Sequence, residues 1–193
     1  LWGFLQHQPW FAGSVVKETN YFSRHHDRGP DWYDGLFPPP GDGRLTGEVT
    51  PDYLHSQEAA ARIHRHSPDA RLFVILRDPV VRFASNMEMA RRIGRVPRTA
   101  TVLDLLTTDA SRARRELFLE VGTYVDHLER FSEFFPREQL LVQFLEEVVD
   151  DPQRHLTDLV AHVAPGRSVA PPLVLPRWNS SCIDICRPKL IPS

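Results

Sequence analysis

Residues 71–89 read RLFVILRDPVVRFASNMEM, and the fold turns on them. The apolar run Leu72 to Leu76 stops abruptly at Arg77-Asp78-Pro79. A continuous apolar run bounded by breakers suits a strand covered on both faces of a sheet. Pro79 fits the first turn of a helix, predicted over 79–92, which carries Phe83, Ser85, Met87 and Met89. A buried strand that delivers an arginine at its carboxyl end, beside a new helix, is where open α/β sheets bind anionic ligands. The guanidinium of Arg77 and the hydroxyl of Ser85 can together hold one phosphate. The competing reading is an Arg77 salt bridge to Asp78 or Glu88, with Ser85 a small packing residue. Arg82 is read as a solvated helix residue.

On either side of this stretch, strands alternate with helices along the chain. Strands are expected at 14–16, 45–49 and 139–144, in addition to 71–76. Helices are expected at 1–7, 56–66, 79–92, 101–106, 113–134 and 151–163, with one short helix inside 31–37. In the helix at 56–66, Ala59, Ala60 and Ile63 face inward. Asp150 or Asp151 is the cap of the last helix, with Pro152 early in it. The segment 23–44 is a turn-dense loop that includes PPPGDG at 38–43, and the tail over 165–193 is irregular. This alternation argues for a single α/β domain over 1–193, with a parallel sheet under helical cover.

The bulk composition narrows the function. With 193 residues, 41% apolar and 25% charged, the chain is that of a globular domain with a sizeable core. A net charge of −2 provides no global attraction for nucleic acid or anionic membrane, so any anion site is local. No apolar stretch approaches the ~20 residues of a membrane span. Cys182 and Cys186 are the only cysteines and read as unpaired or incidental thiols, with a local disulfide or a metal role as the alternatives. His25, His26, His64 and His66 lack the spacing of a zinc motif and read as solvated, so no metal is expected. Glu146, Glu147, Asp150 and Asp151 read as a structural cluster around a strand-to-helix connection. Arginine outnumbers lysine 21 to 2, a bias that suggests a GC-rich bacterial genome.

Lys17-Glu18 is the second chemical candidate. A carboxylate just past a strand end, flanked by a lysine and by Tyr21 and Phe22, suits a general base over an acceptor hydroxyl or amine. The plainer reading is an exposed ion pair of little energetic consequence.

Four blocks in order carry a family resemblance: KETNYF at 17–22 with DWY at 31–33, GEVTPDYL at 47–54, RLFVILRDPVVRFASNM at 71–87, and GTYVDHLERFSEFFPREQLLVQFLEEVVDDP at 122–152. Together they resemble the sulfotransferase domain that uses 3′-phosphoadenosine 5′-phosphosulfate (PAPS), in its heparan sulfate N- and 3-O-sulfotransferase branch and bacterial relatives. The resemblance implies a P-loop NTPase-like three-layer sandwich with a central parallel sheet. It implies that Arg77 and Ser85 bind the 3′-phosphate of PAPS, that Glu18 is the catalytic base and that Lys17 assists beside it. The acceptor would be a hydroxyl or amine of a carbohydrate or small molecule, with no metal involved. Asn20 stands where histidine is frequent in the 3-O branch, and Val49 where lysine is usual.

The family's 5′-phosphosulfate loop, with its lysine, precedes a helix that Leu1 to Leu5 resembles, so the domain is expected to be incomplete at its amino end. The expected location is the bacterial cytoplasm, or the Golgi lumen if the source is eukaryotic. Two alternatives stand beside this reading. One is a P-loop nucleotide-dependent, kinase-like phosphotransferase, although the chain has no G-x-x-x-x-G-K. The other is a non-catalytic remnant of the sulfotransferase fold.

Overall fold

The computed structural model describes residues 1–39, 43–107 and 118–170. Cys182, Cys186, the tail beyond residue 170 and the middle of PPPGDG therefore lie outside the described residues. Among these, two parallel strand pairs form: β1 (Phe11–Gly13) with β2 (Leu45–Gly47), and β3 (Leu72–Leu76) with β4 (Leu140–Phe144). Phe11 lies opposite Leu45 in the first pair. Leu72 lies opposite Leu140, and Leu76 opposite Phe144, in the second. The helices are α1 (Trp2–Gln6), α2 (Pro30–Asp34), α3 (Ala59–His66), α4 (Pro79–Arg92), α5 (Val102–Thr107), α6 (Tyr124–Ser132), α7 (Leu145–Asp150) and α8 (Pro152–Val163).

The alternation of β3 builds the layers, because successive side chains of a strand point to opposite faces. Leu72, Val74 and Leu76 join a core with Ala59, Ala60 and Ile63 of α3, Phe131 of α6, and Phe135. Phe73, with Ile75 against it, joins the other core, with Trp2 and Leu5 of α1 and Leu156, Leu159 and Val163 of α8. Parallel strands thus lie between two helical layers. Burying each such side chain contributes roughly 1.5–3 kcal/mol relative to leaving it in water.

The start of α4 follows from its sequence. Asp78 accepts a hydrogen bond from the Val81 amide at 2.8 Å, and Pro79 occupies the first turn, where no amide hydrogen is needed. Asp151 caps α8 in the same way, accepting from Arg154 N at 3.1 Å.

Four expectations need correction. The strand placed at 14–16 lies earlier, at Phe11–Gly13, because Phe11 and Ala12 are buried while Val15 is 75% exposed. Within the expected helix 113–134, a 3-10 turn at Glu120–Gly122 and the non-helical Thr123 separate α6 from what precedes; residues 113–117 lie outside the described residues. The sequence reading also passes over α7, which follows β4 directly. Arg82 is not solvated: it is 3% exposed and donates from Nη2 to the Phe118 carbonyl at 2.5 Å. Gly122 makes room for it, since a Cβ there would stand 3.0 Å from Arg82 Nη2.

Candidate functional site

Past the end of β1 the chain runs on to Glu18, whose amide donates to the Val49 carbonyl at 3.2 Å. Glu18 and Asn20 both take left-handed backbone conformations, with φ of 59° and 52°. A non-glycine residue in that region costs on the order of 1–3 kcal/mol and persists only where its surroundings determine it. Asn20 is among the residues that tolerate it, and its Nδ2 donates back to the Glu18 carbonyl at 2.7 Å. The Asn20 carbonyl in turn accepts from the amides of Arg24 at 2.8 Å and His25 at 3.0 Å. Lys17 Nζ meets Glu18 Oε1 at 2.8 Å, with the two side chains 37% and 40% exposed. An ion pair this accessible adds little stability.

Beneath this turn lies a carboxylate that sequence reasoning left without a role. Glu48, just past β2, is 1% exposed. Its Oε2 accepts from Thr19 Oγ1 at 2.6 Å and Thr50 Oγ1 at 2.8 Å. Its Oε1 accepts from Tyr33 Oη at 2.7 Å and Tyr53 Oη at 2.9 Å. Burial, and then the Glu48 charge, push the Tyr53 phenol far above its ordinary pKa, so it stays a donor. The only sequence signal was local: in GEVTPDYL an acidic residue stands among apolar ones, with Thr50 and Tyr53 close behind.

The second pair sits one residue beyond β3. Arg77 Nη1 donates to Ser85 Oγ, on α4, at 2.9 Å, with both residues half-buried. The salt-bridge alternative does not form: Asp78 caps Val81, Glu88 faces Arg91 at 3.6 Å, and no carboxylate pairs with Arg77 among the described residues. Glu146, in the first turn of α7, accepts from the Asp78 amide at 3.1 Å, which ties α7 to the strand end that carries Arg77. A guanidinium held by a hydroxyl and left without an acid partner fits an external phosphate.

The histidines are half-buried rather than solvated. His64 lies against Phe135, His26 against Tyr21, and His66 Nε2 is 3.2 Å from Asp34. Among the described residues no group of three or more His, Cys, Asp or Glu side chains is placed to hold a metal ion. On α2, Tyr33 is core, stacked on Tyr21 at 4.5 Å, and Trp32 lies under the Arg28 guanidinium at 4.6 Å.

Residues 8–162 match the family model described as "Sulfotransferase domain". The chain is 36% identical to heparan sulfate glucosamine 3-O-sulfotransferase 6 of Mus musculus over 147 residues, covering 72% of this chain and 41% of that protein. It is 33% identical to heparan sulfate glucosamine 3-O-sulfotransferase 3B1 of Homo sapiens over 146 residues, covering 74% and 37%. The chain therefore spans about two fifths of the length of these curated relatives. The crystal structure of a sulfotransferase from Alicyclobacillus acidocaldarius superposes with a TM-score of 0.72 at 25% identity, covering 90% of this chain and 79% of that one. A match over most of the chain, joined to parallel strands under helical cover, has one conclusion: the chain belongs to the sulfotransferase domain family.

Proposed function

We propose that the protein moves a sulfuryl group from PAPS to a hydroxyl or amine of a carbohydrate. The observation that carries this reading is the Arg77–Ser85 pair, a cation at a strand end with a hydroxyl on one side and no acid partner among the described residues. It fits the 3′-phosphate that distinguishes PAPS from an ordinary adenine nucleotide. PAPS itself supplies the activated sulfuryl group. Glu18, half-exposed and turned by its left-handed backbone, takes the acceptor proton as the acceptor oxygen or nitrogen attacks sulfur. Lys17 orients that carboxylate. Adenosine 3′,5′-bisphosphate leaves. As in phosphoryl transfer, positioning and charge stabilisation do most of the work.

The names of the relatives point to a glucosamine-containing polysaccharide as the acceptor class. Val49 is fully buried and offers no cation to such a chain. Among the described residues no helix is long and apolar enough to cross a membrane. The arginine bias supports a bacterial source, and with it action in the cytoplasm.

The test is transfer of label from ³⁵S-PAPS to heparan sulfate by the whole polypeptide. Glu18→Gln keeps the shape but cannot take the proton, and is expected to lower kcat by about 10²–10⁴-fold. Unchanged turnover would remove Glu18 as the base.

A further inference from the structure

The proposed base stands on a backbone its residue type disfavours, so something nearby has to hold it there. Thr19 lies between the two left-handed residues and is itself 3% exposed. Its hydroxyl is in contact with Glu48 Oε2 at 2.6 Å and Tyr53 Oη at 2.9 Å, and accepts from the Tyr21 amide at 3.3 Å. Tyr53 Oη also accepts from the Phe22 amide at 3.4 Å. The segment after Glu18 is thus tied, hydroxyl by hydroxyl, to one buried carboxylate.

Among the described residues no lysine or arginine pairs with Glu48; its partners are hydroxyls. A buried charge without a counter-ion is a costly way to stabilise a core. Its two oxygens are acceptors only, and they gather four O–H groups from residues 19, 33, 50 and 53. A carboxamide would put a donor where two of those hydroxyls already point their protons.

We propose that Glu48 is a positioning residue for the transfer: through Thr19 it holds the left-handed turn that aims the Glu18 carboxylate at the acceptor. The proposal rests on Glu18 being the base. Glu48 is buried beneath the turn and acts only through the residues it grips.

The test is steady-state kinetics of the whole polypeptide with ³⁵S-PAPS and heparan sulfate, together with calorimetry of adenosine 3′,5′-bisphosphate. Glu48→Gln is expected to lower kcat about ten- to a hundredfold, the scale of a misplaced catalytic group. The KM for PAPS and the affinity for the bisphosphate should stay within about twofold, since the Arg77 pair is untouched. Thr19→Val should follow Glu48→Gln, whereas Thr19→Ser, which keeps the hydroxyl, should retain most of the rate. The double variant Glu48→Gln with Glu18→Gln should be no slower than Glu18→Gln alone, because an aim without a base has nothing to lose. If Glu48→Gln does not fold, the Thr19 pair reads the same link.

Wild-type kcat in Glu48→Gln or Thr19→Val, or losses that multiply in the double variant, would overturn the proposal. So would an equal fall in bisphosphate affinity, which would make Glu48 a general support of the fold. Wild-type turnover by Glu18→Gln would instead sink the base assignment itself. An inactive Glu18→Gln beside a fully active Glu48→Gln would sink only the positioning role.

Discussion

His162 Nε2 donates to the Leu72 carbonyl at 2.8 Å, fastening α8 to the start of β3. Burial lowers its pKa from 6.5, with Arg71 adding to the effect. His26, His55 and His127 are lowered from 6.5 as well, in each case mainly by burial. These rings stay neutral in the fold while the unfolded chain takes up protons. Below the unfolded value the unfolded state therefore binds more protons, and stability falls as pH drops through 6.5 toward the folded values; above 6.5 the effect vanishes. The Tm is expected to be lower at about pH 5.5 than at about pH 7.5. His162→Gln, which can still donate to Leu72, should shrink that difference in a thermal melt; an undiminished difference would take His162 out of the account. Other single residues differ in how openly the sequence displays them. Arg77 and Glu18 are legible because each follows closely on a short apolar run, and Ser85 because it lies on the helix that starts directly after Arg77. Glu48 and Arg82 are not, because their surroundings come from residues distant in sequence: Thr19 and Tyr33 for the first, Phe118 and Gly122 for the second.

At the scale of elements, β3 and α4 are the most legible because local signals agree. The apolar run and the proline at the first helical position set one boundary, and the Asp78 cap found in the structure agrees with it. The start of the chain is less legible. Ser14-Val15-Val16 has β-branched residues, yet the strand forms earlier, where α1 can cover it. Gly13 ends β1 against the Trp2 ring, and a Cβ there would overlap the ring carbon Cη2. Gly13→Ala must therefore displace Trp2 or shift the strand, at a cost of about 1–3 kcal/mol. A lowered melting temperature with the bisphosphate affinity of folded protein preserved is the expected result. An unchanged melting temperature would mean that the contact of α1 with β1 is loose. The expected helix over 113–134 fails for a similar reason. Helical spacing marks an apolar face, but it does not reveal that Gly122 must leave room for Arg82.

Across the whole molecule, two polar sites share one logic, each following the carboxyl end of a parallel strand. The 17–20 turn after β1 carries the proposed base, and the Arg77–Ser85 pair after β3 the proposed phosphate anchor. The three layers were legible from the order of strands and helices, and the family match over residues 8–162 agrees with them. The acceptor was not legible, because none of the four sequence blocks carries a signal for the group that receives the sulfuryl. Arg77 is the residue through which the proposed function has this fold recognise a nucleotide by its 3′-phosphate. The most direct measurement is calorimetry of adenosine 3′,5′-bisphosphate and adenosine 5′-monophosphate against the whole polypeptide and its Arg77→Ala variant. The wild type is expected to prefer the bisphosphate, and Arg77→Ala to weaken bisphosphate binding about ten- to a hundredfold while leaving the monophosphate nearly unaffected. Equal binding of the bisphosphate by both proteins would contradict it.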